Sequence, residues 1–107
     1  MTAPRVEILT FDGCPNRSGA VALVDRVLAE TGIAASVEVV EVPDAETAAV
    51  LHFLGSPTIR VDGQDVEPGA AERSDFVLAC RLYKTEAGLQ GQPDARWLAR
   101  ALGRAGD

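Results

Sequence analysis

Cys14 and Cys80 are the only two cysteines in the chain, too few for the disulfide framework of a small secreted domain. Four cysteines for an iron–sulfur cluster are missing, and so is a dense His/Cys zinc pattern, because His52 is the only histidine. That residue lies between Leu51 and Phe53 in an expected helix and reads as a partly exposed surface residue. Chain order alone yields no Ser/His/Asp or Cys/His arrangement around it. No Gly-rich lysine loop is present to cradle a phosphate. No apolar run approaches the roughly 20 residues needed to span a bilayer; VEILTF and VLACRLY are short and interrupted. The opening MTAPRVEI passes into a strand pattern without the apolar stretch and cleavage site of an export signal. A cytoplasmic location is therefore expected, with both thiols reduced at rest. No cofactor, nucleic-acid partner or membrane partner is expected, and oligomeric state leaves no readable mark.

What is present is enough for one compact domain over residues 1–107, since a chain of this length buries roughly two-thirds of its unfolded surface on folding. Sixteen acidic against ten basic residues give a formal charge of −6, which favours solubility and disfavours unaided binding to nucleic acid or anionic membrane. Arg5–Phe11 starts with alternation and turns apolar, as a strand entering a sheet core does; it is β1. After the break Asp12–Asn16, apolar Ala20, Val21, Leu23, Val24, Val27 and Leu28 recur at helical spacing, and Thr31–Gly32 stops this α1. Ser36–Val42, ended by Pro43, is β-branched and partly alternating and forms β2. Asp44 caps α2, whose apolar residues run from Ala45 to Leu54 before Gly55 stops it. Thr58–Val61 and Gln64–Glu67, joined by the tight turn Asp62–Gly63, read as the hairpin β3–β4.

Residues 68–93 form an enlarged, less legible connection, in which the apolar run Phe76–Tyr83 fits helix or strand equally. Tyr83, flanked by Arg81 and Lys84, reads first as a ring packed in the core and second as a contact for an anionic partner. Pro93–Asp94 introduces α3, with Trp97, Leu98, Ala101 and Leu102 as its apolar stripe and Gly103 as its stop. The order β1-α1-β2-α2-β3-β4-α3, with a right-handed crossover making β1 and β2 parallel and the hairpin adding an antiparallel edge, predicts an α/β fold: a mixed four-stranded sheet with flanking helices.

In an open α/β sheet, sites gather beyond the carboxyl ends of parallel strands, where Cys14 falls. A thiolate there gains from the unpaired N–H groups and positive dipole end of the first helix, and Arg17 offers a second cationic influence or an anion contact. Asp12 reads as a turn cap or as a proton-exchanging group. The topology and the stretch Phe11–Asp12–Gly13–Cys14–Pro15–Asn16–Arg17 resemble the thioredoxin-like superfamily and its active-site turn. The usual Cys-x-x-Cys is here Cys14-Pro15-Asn16-Arg17, which removes a local dithiol cycle. The resemblance implies a second element at Gly55–Ser56–Pro57–Thr58, where the family places a cis-proline against that turn, so that Ser56, Pro57 and Thr58 read first as shaping the chain there and second as aligning a peptide or thiol substrate. Together with Cys80-Arg-Leu-Tyr, these motifs also resemble small bacterial thioredoxin-like proteins sometimes labelled alkylmercury-lyase-like.

Three functions remain open at this level. One is thiol–disulfide exchange by Cys14, resolved by Cys80 or by an external protein or low-molecular-weight thiol. Another is a non-catalytic module that binds protein through the surface near Pro57 and the long connection. The third is capture of mercury, an organomercurial or another thiophilic metal by Cys14 and Cys80. Cys80 itself, with apolar neighbours, reads first as a small buried side chain, and resolving or metal-binding roles are its alternatives.

Overall fold

The computed structural model describes residues 3–105. β1 (Arg5–Thr10) leads through a turn to α1 (Arg17–Thr31), followed by β2 (Ser36–Glu41), α2 (Ala45–Val50), β3 (Thr58–Val61) and β4 (Gln64–Asp65). Within the long connection come a 3₁₀ turn (Ala70–Glu72) and a small separate hairpin, β5 (Tyr83–Thr85) and β6 (Gly88–Gln90), before α3 (Ala95–Ala105). The main sheet is ordered β2-β1-β3-β4, with β1 parallel to β2 and antiparallel to β3, and β4 antiparallel to β3. This is the mixed four-stranded topology that the strand and helix order predicts, and it resembles the thioredoxin-like order.

The register explains how one sequence covers both faces of the sheet. Ile8 lies opposite Ile59, and Val6 opposite Val61. These four buried residues pack with Ala20, Leu23, Val24 and Val27 of α1 and with Leu98 and Leu102 of α3. Leu9 points the other way, by the period-two geometry of a strand, and packs with Val42, Ala48 and Phe53. Fully burying each large apolar side chain stabilises the fold by roughly 1.5–3 kcal/mol, so the two central strands hold the helices on both sides. α1 ends as its glycine requires: Gly32 takes φ 70° and its N–H donates to Leu28 O at 3.0 Å. Asp44 caps α2 by accepting the Thr47 N–H at 2.7 Å.

Several boundaries differ from the sequence expectation. α2 stops at Val50 rather than Leu54, because His52 turns into the left-handed region at φ 56° and sends Phe53 and Leu54 into the core in non-helical backbone. β1 and β4 each end earlier, at Thr10 and Asp65, while α3 runs through Gly103 to Ala105. Phe76–Leu82 is neither helix nor named strand. It runs parallel alongside the chain entering β3, with Val77 N–H donating to Phe53 O (2.9 Å), Ser56 N–H to Ala79 O (2.8 Å) and Arg81 N–H to Ser56 O (2.9 Å).

Candidate functional site

The turn after β1 places Cys14. Gly13 takes φ 86°, which a residue with a Cβ adopts poorly, and Cys14 N–H donates to Phe11 O at 3.1 Å. Cys14 O in turn accepts Arg17 N–H at 3.3 Å, so the cysteine lies three residues ahead of α1 rather than in its first turn. Asn16 occupies the cap position without a side-chain cap bond. Its carbonyl also accepts from Gln92 Nε2 at 2.8 Å, and a Cβ on Gly91 would meet the Asn16 amide at 2.5 Å. The far end of the long connection is thereby packed against the start of α1. Cys14 is buried at 7% exposure, whereas Asp12 and Arg17 are exposed. No ion pair joins Arg17 to another side chain among the described residues.

Ser56, Pro57 and Thr58 are all buried, and the Ser56–Pro57 peptide bond is cis. The Ser56 backbone is closed on both sides by the connection through its parallel bridge to Cys80. Gly55, at φ 117°, is needed for this approach: a Cβ there would lie 2.9 Å from Arg81 Cβ and 3.1 Å from Ala79 O. Cys80 is exposed, which corrects the expectation of a buried small side chain: its backbone is tied to Ser56 while its side chain is left outside. Cys14 and Cys80 are free thiols, not joined to each other. Among the described residues, no group of three or more His, Cys, Asp or Glu side chains is placed to hold a metal ion.

What the sequence reading missed is a buried polar assembly beneath this bridge. Arg81, with a side chain 1% exposed, donates from Nη1 to Asp65 Oδ2 (2.7 Å) and Thr58 Oγ1 (2.9 Å), and from Nη2 to Glu67 Oε1 (2.7 Å). Its guanidinium lies 4.3 Å from the Tyr83 ring centroid, and the Tyr83 hydroxyl donates to Pro57 O. Thr58 completes the set by donating to Gly55 O at 2.6 Å. Burial works to lower the Arg81 pKa, but hydrogen bonding to Asp65, the Asp65 charge and hydrogen bonding to Glu67 carry it above the ordinary arginine value. Burial pushes the Tyr83 hydroxyl well up, so it stays a neutral donor. The signal was present: Asp65 and Glu67, two residues apart, share a side, and Arg81 interrupts an otherwise apolar run. The charge has to be met inside the protein.

The residues proposed for chemistry thus fall into two groups: a turn carrying Asp12, buried Cys14 and Arg17, and the Ser56–Thr58 segment covered by Cys80 and Arg81. No helix of the described residues is long and apolar enough to cross a membrane. No protein-family model matches the chain, and neither the curated proteins nor the solved structures contain a match.

Proposed function

We propose that this chain is a protein-binding module built on a thioredoxin-like fold, with the connection over residues 68–93 as its docking surface and no requirement for thiol exchange. The observation that carries the reading is where apolar surface is left outside. Of the six large apolar residues exposed among the described residues, Val77 (45% exposed), Leu82 (64%) and Leu89 (66%) lie in that connection, the others being Val37 and Val39 on β2 and Val50 on α2, while Cys14 is withdrawn. Scattered exposed apolar residues need no explanation, but three on one ordered insertion are side chains that a partner docking there would cover. The partner this fits is a protein with an apolar patch and a rim of mixed charge, because residues 68–93 carry three acidic and three basic side chains.

A thiol-exchange reading keeps a specific foothold, since Cys14 stands just ahead of α1 and Cys80 carries an exposed free thiol. There the Cys14 thiolate would attack a disulfide of a protein or small thiol, forming a mixed disulfide and releasing one thiolate. Cys80 would then attack Cys14 Sγ, forming a Cys14–Cys80 disulfide and releasing the second thiolate, or an external thiol would attack the substrate sulfur, forming a disulfide with it and releasing the Cys14 thiolate. Asp12 and Arg17 would serve as proton-exchanging and cationic neighbours, and Ser56–Thr58 as the aligning segment.

The two readings separate in one experiment. Partners cross-linked to the wild-type chain in its own cells are identified, and their binding is then measured for Cys14→Ser and for Leu82→Asp/Leu89→Asp. The binding-module reading expects Cys14→Ser to retain binding and the double aspartate variant to lose it, with no turnover of a disulfide substrate by wild type. Loss of binding only in Cys14→Ser, with disulfide turnover by wild type, would reverse the assignment.

A further inference from the structure

Away from Cys14, a cleft of about 560 Å³ opens between the β3–β4 hairpin, the first part of the connection and α3. Its size is that of a small-molecule site. Arg60, Arg73, Arg100 and Arg104 line it together with Trp97 and Phe76. Trp97, Arg100 and Arg104 follow the three- and four-residue spacing that puts them on one stripe of α3. The two carboxylates in the wall, Asp65 and Glu67, are already bound from beneath by Arg81, and Arg73 is paired with Asp75 and Glu67. Arg60 is fixed in place by donating from Nη2 to the carbonyls of Leu51 (2.7 Å) and His52 (3.1 Å). Arg100 and Arg104 have no carboxylate partner among the described residues. Five guanidinium groups therefore face or back this cleft against three carboxylates, on a chain whose overall formal charge is −6.

We infer that this cleft binds a small organic oxyanion of the phosphate-ester type, its charged end held by Arg100, Arg104 and the free edge of Arg60 and its planar body against Trp97 and Phe76. Guanidinium groups suit that ligand because they present paired donors in a plane and hold their charge at every physiological pH. A concave wall concentrates the field of the arginines and attracts a mobile anion more than the same charges would on a flat surface. The aromatic lining adds a stacking face that a bare inorganic anion cannot use. The inference does not rest on the protein-docking reading, whose exposed apolar residues Val77, Leu82 and Leu89 do not line the cleft.

Trp97 is the only tryptophan in the chain, so its fluorescence reports on the cleft directly. The full chain is titrated at constant ionic strength with adenosine 5′-diphosphate and, separately, with inorganic pyrophosphate. A saturable change is expected with both, at least several-fold tighter for the nucleotide, and at least about tenfold weaker in Arg100→Ala/Arg104→Ala, whose far-UV circular dichroism matches wild type. Both arginines are exposed on α3; should the double variant unfold, Arg100→Gln alone gives the same reading with a smaller loss. Arg26→Ala, remote on α1, retains wild-type affinity. Absence of saturation with both probes, or equal affinity in wild type and the α3 arginine variant, overturns the inference. Saturation by pyrophosphate with no gain for the nucleotide overturns its aromatic half.

Discussion

Cys80 and Ser56 face each other across a single parallel bridge, and their side chains have opposite fates: Ser56 is fully buried, Cys80 exposed. The same connection that leaves a thiol outside consumes both backbone hydrogen-bonding groups of Ser56. Any partner that reaches the site from this side therefore meets the connection, not the β3 entry itself.

Gly55 is what permits that closeness. Gly55→Ala places a Cβ at φ 117°, 2.9 Å from Arg81 Cβ and 3.1 Å from the Ala79 carbonyl. Neither backbone strain nor the clash with a carbonyl is relieved by rotating a side chain. A loss of about 2 kcal/mol is expected from urea unfolding. Native-state hydrogen exchange should show the Ser56 and Arg81 amides losing protection before those of β1. Protection unchanged at both amides would mean that the bridge does not depend on this approach.

Arg81 holds the assembly by charge. Arg81→Met keeps much of the volume but leaves Asp65 and Glu67 without their buried partner, and removing one member of such a group costs about 3 kcal/mol. Adding Asp65→Asn and Glu67→Gln to Arg81→Met removes the stranded charges and should recover part of that loss. Urea midpoints of the three proteins at neutral pH test it. A single variant within about 0.5 kcal/mol of wild type, or a triple variant no better than the single, would show that the network contributes little.

The sheet order was legible because hydrophobic spacing and turn residues agree with the final packing. Ile8, Leu9, Ile59 and Val61 are apolar in the strand pattern, Gly32 and Asp44 mark helix ends, and Asp62–Gly63 makes the hairpin turn. Leu51–Leu54 misled the reading because apolar residues that bury themselves from a turn have the same composition as a helix face. Only the positive φ at His52, and its ring stacked 4.6 Å from that of Phe76, separates the two. The extended path of Phe76–Leu82 is set by residues of the 53–56 segment, more than 20 positions away, and no local pattern encodes such a pairing. The Cys14 turn was legible as a motif, but its packing was not: Gly91 and Gln92, from the far end of the connection, meet Asn16 two residues on from the cysteine.

Asp94 fixes the entry to α3 and gives the fold an acid-sensitive contact. Its carboxylate accepts the Arg96 N–H at 2.9 Å and the Arg96 guanidinium at 3.1 and 2.7 Å. Those side-chain and then backbone hydrogen bonds hold its pKa down, from 3.8 to about 2. Because the folded value lies below the unfolded one, the stabilisation is complete above about pH 5 and fades as pH falls through about 2. Arg96 is largely exposed, so solvent screening keeps the charge contribution small. Asp94→Ala also loses the bond to the helix backbone and should cost about 1 kcal/mol at pH 7. Asp94→Asn keeps an acceptor and should cost less. Urea unfolding from pH 7 down toward about pH 2 should bring wild type and Asp94→Asn together, since the protonated carboxyl and the amide are then alike in charge. A gap that stays constant over that range would show that the Asp94–Arg96 attraction plays no part in stability.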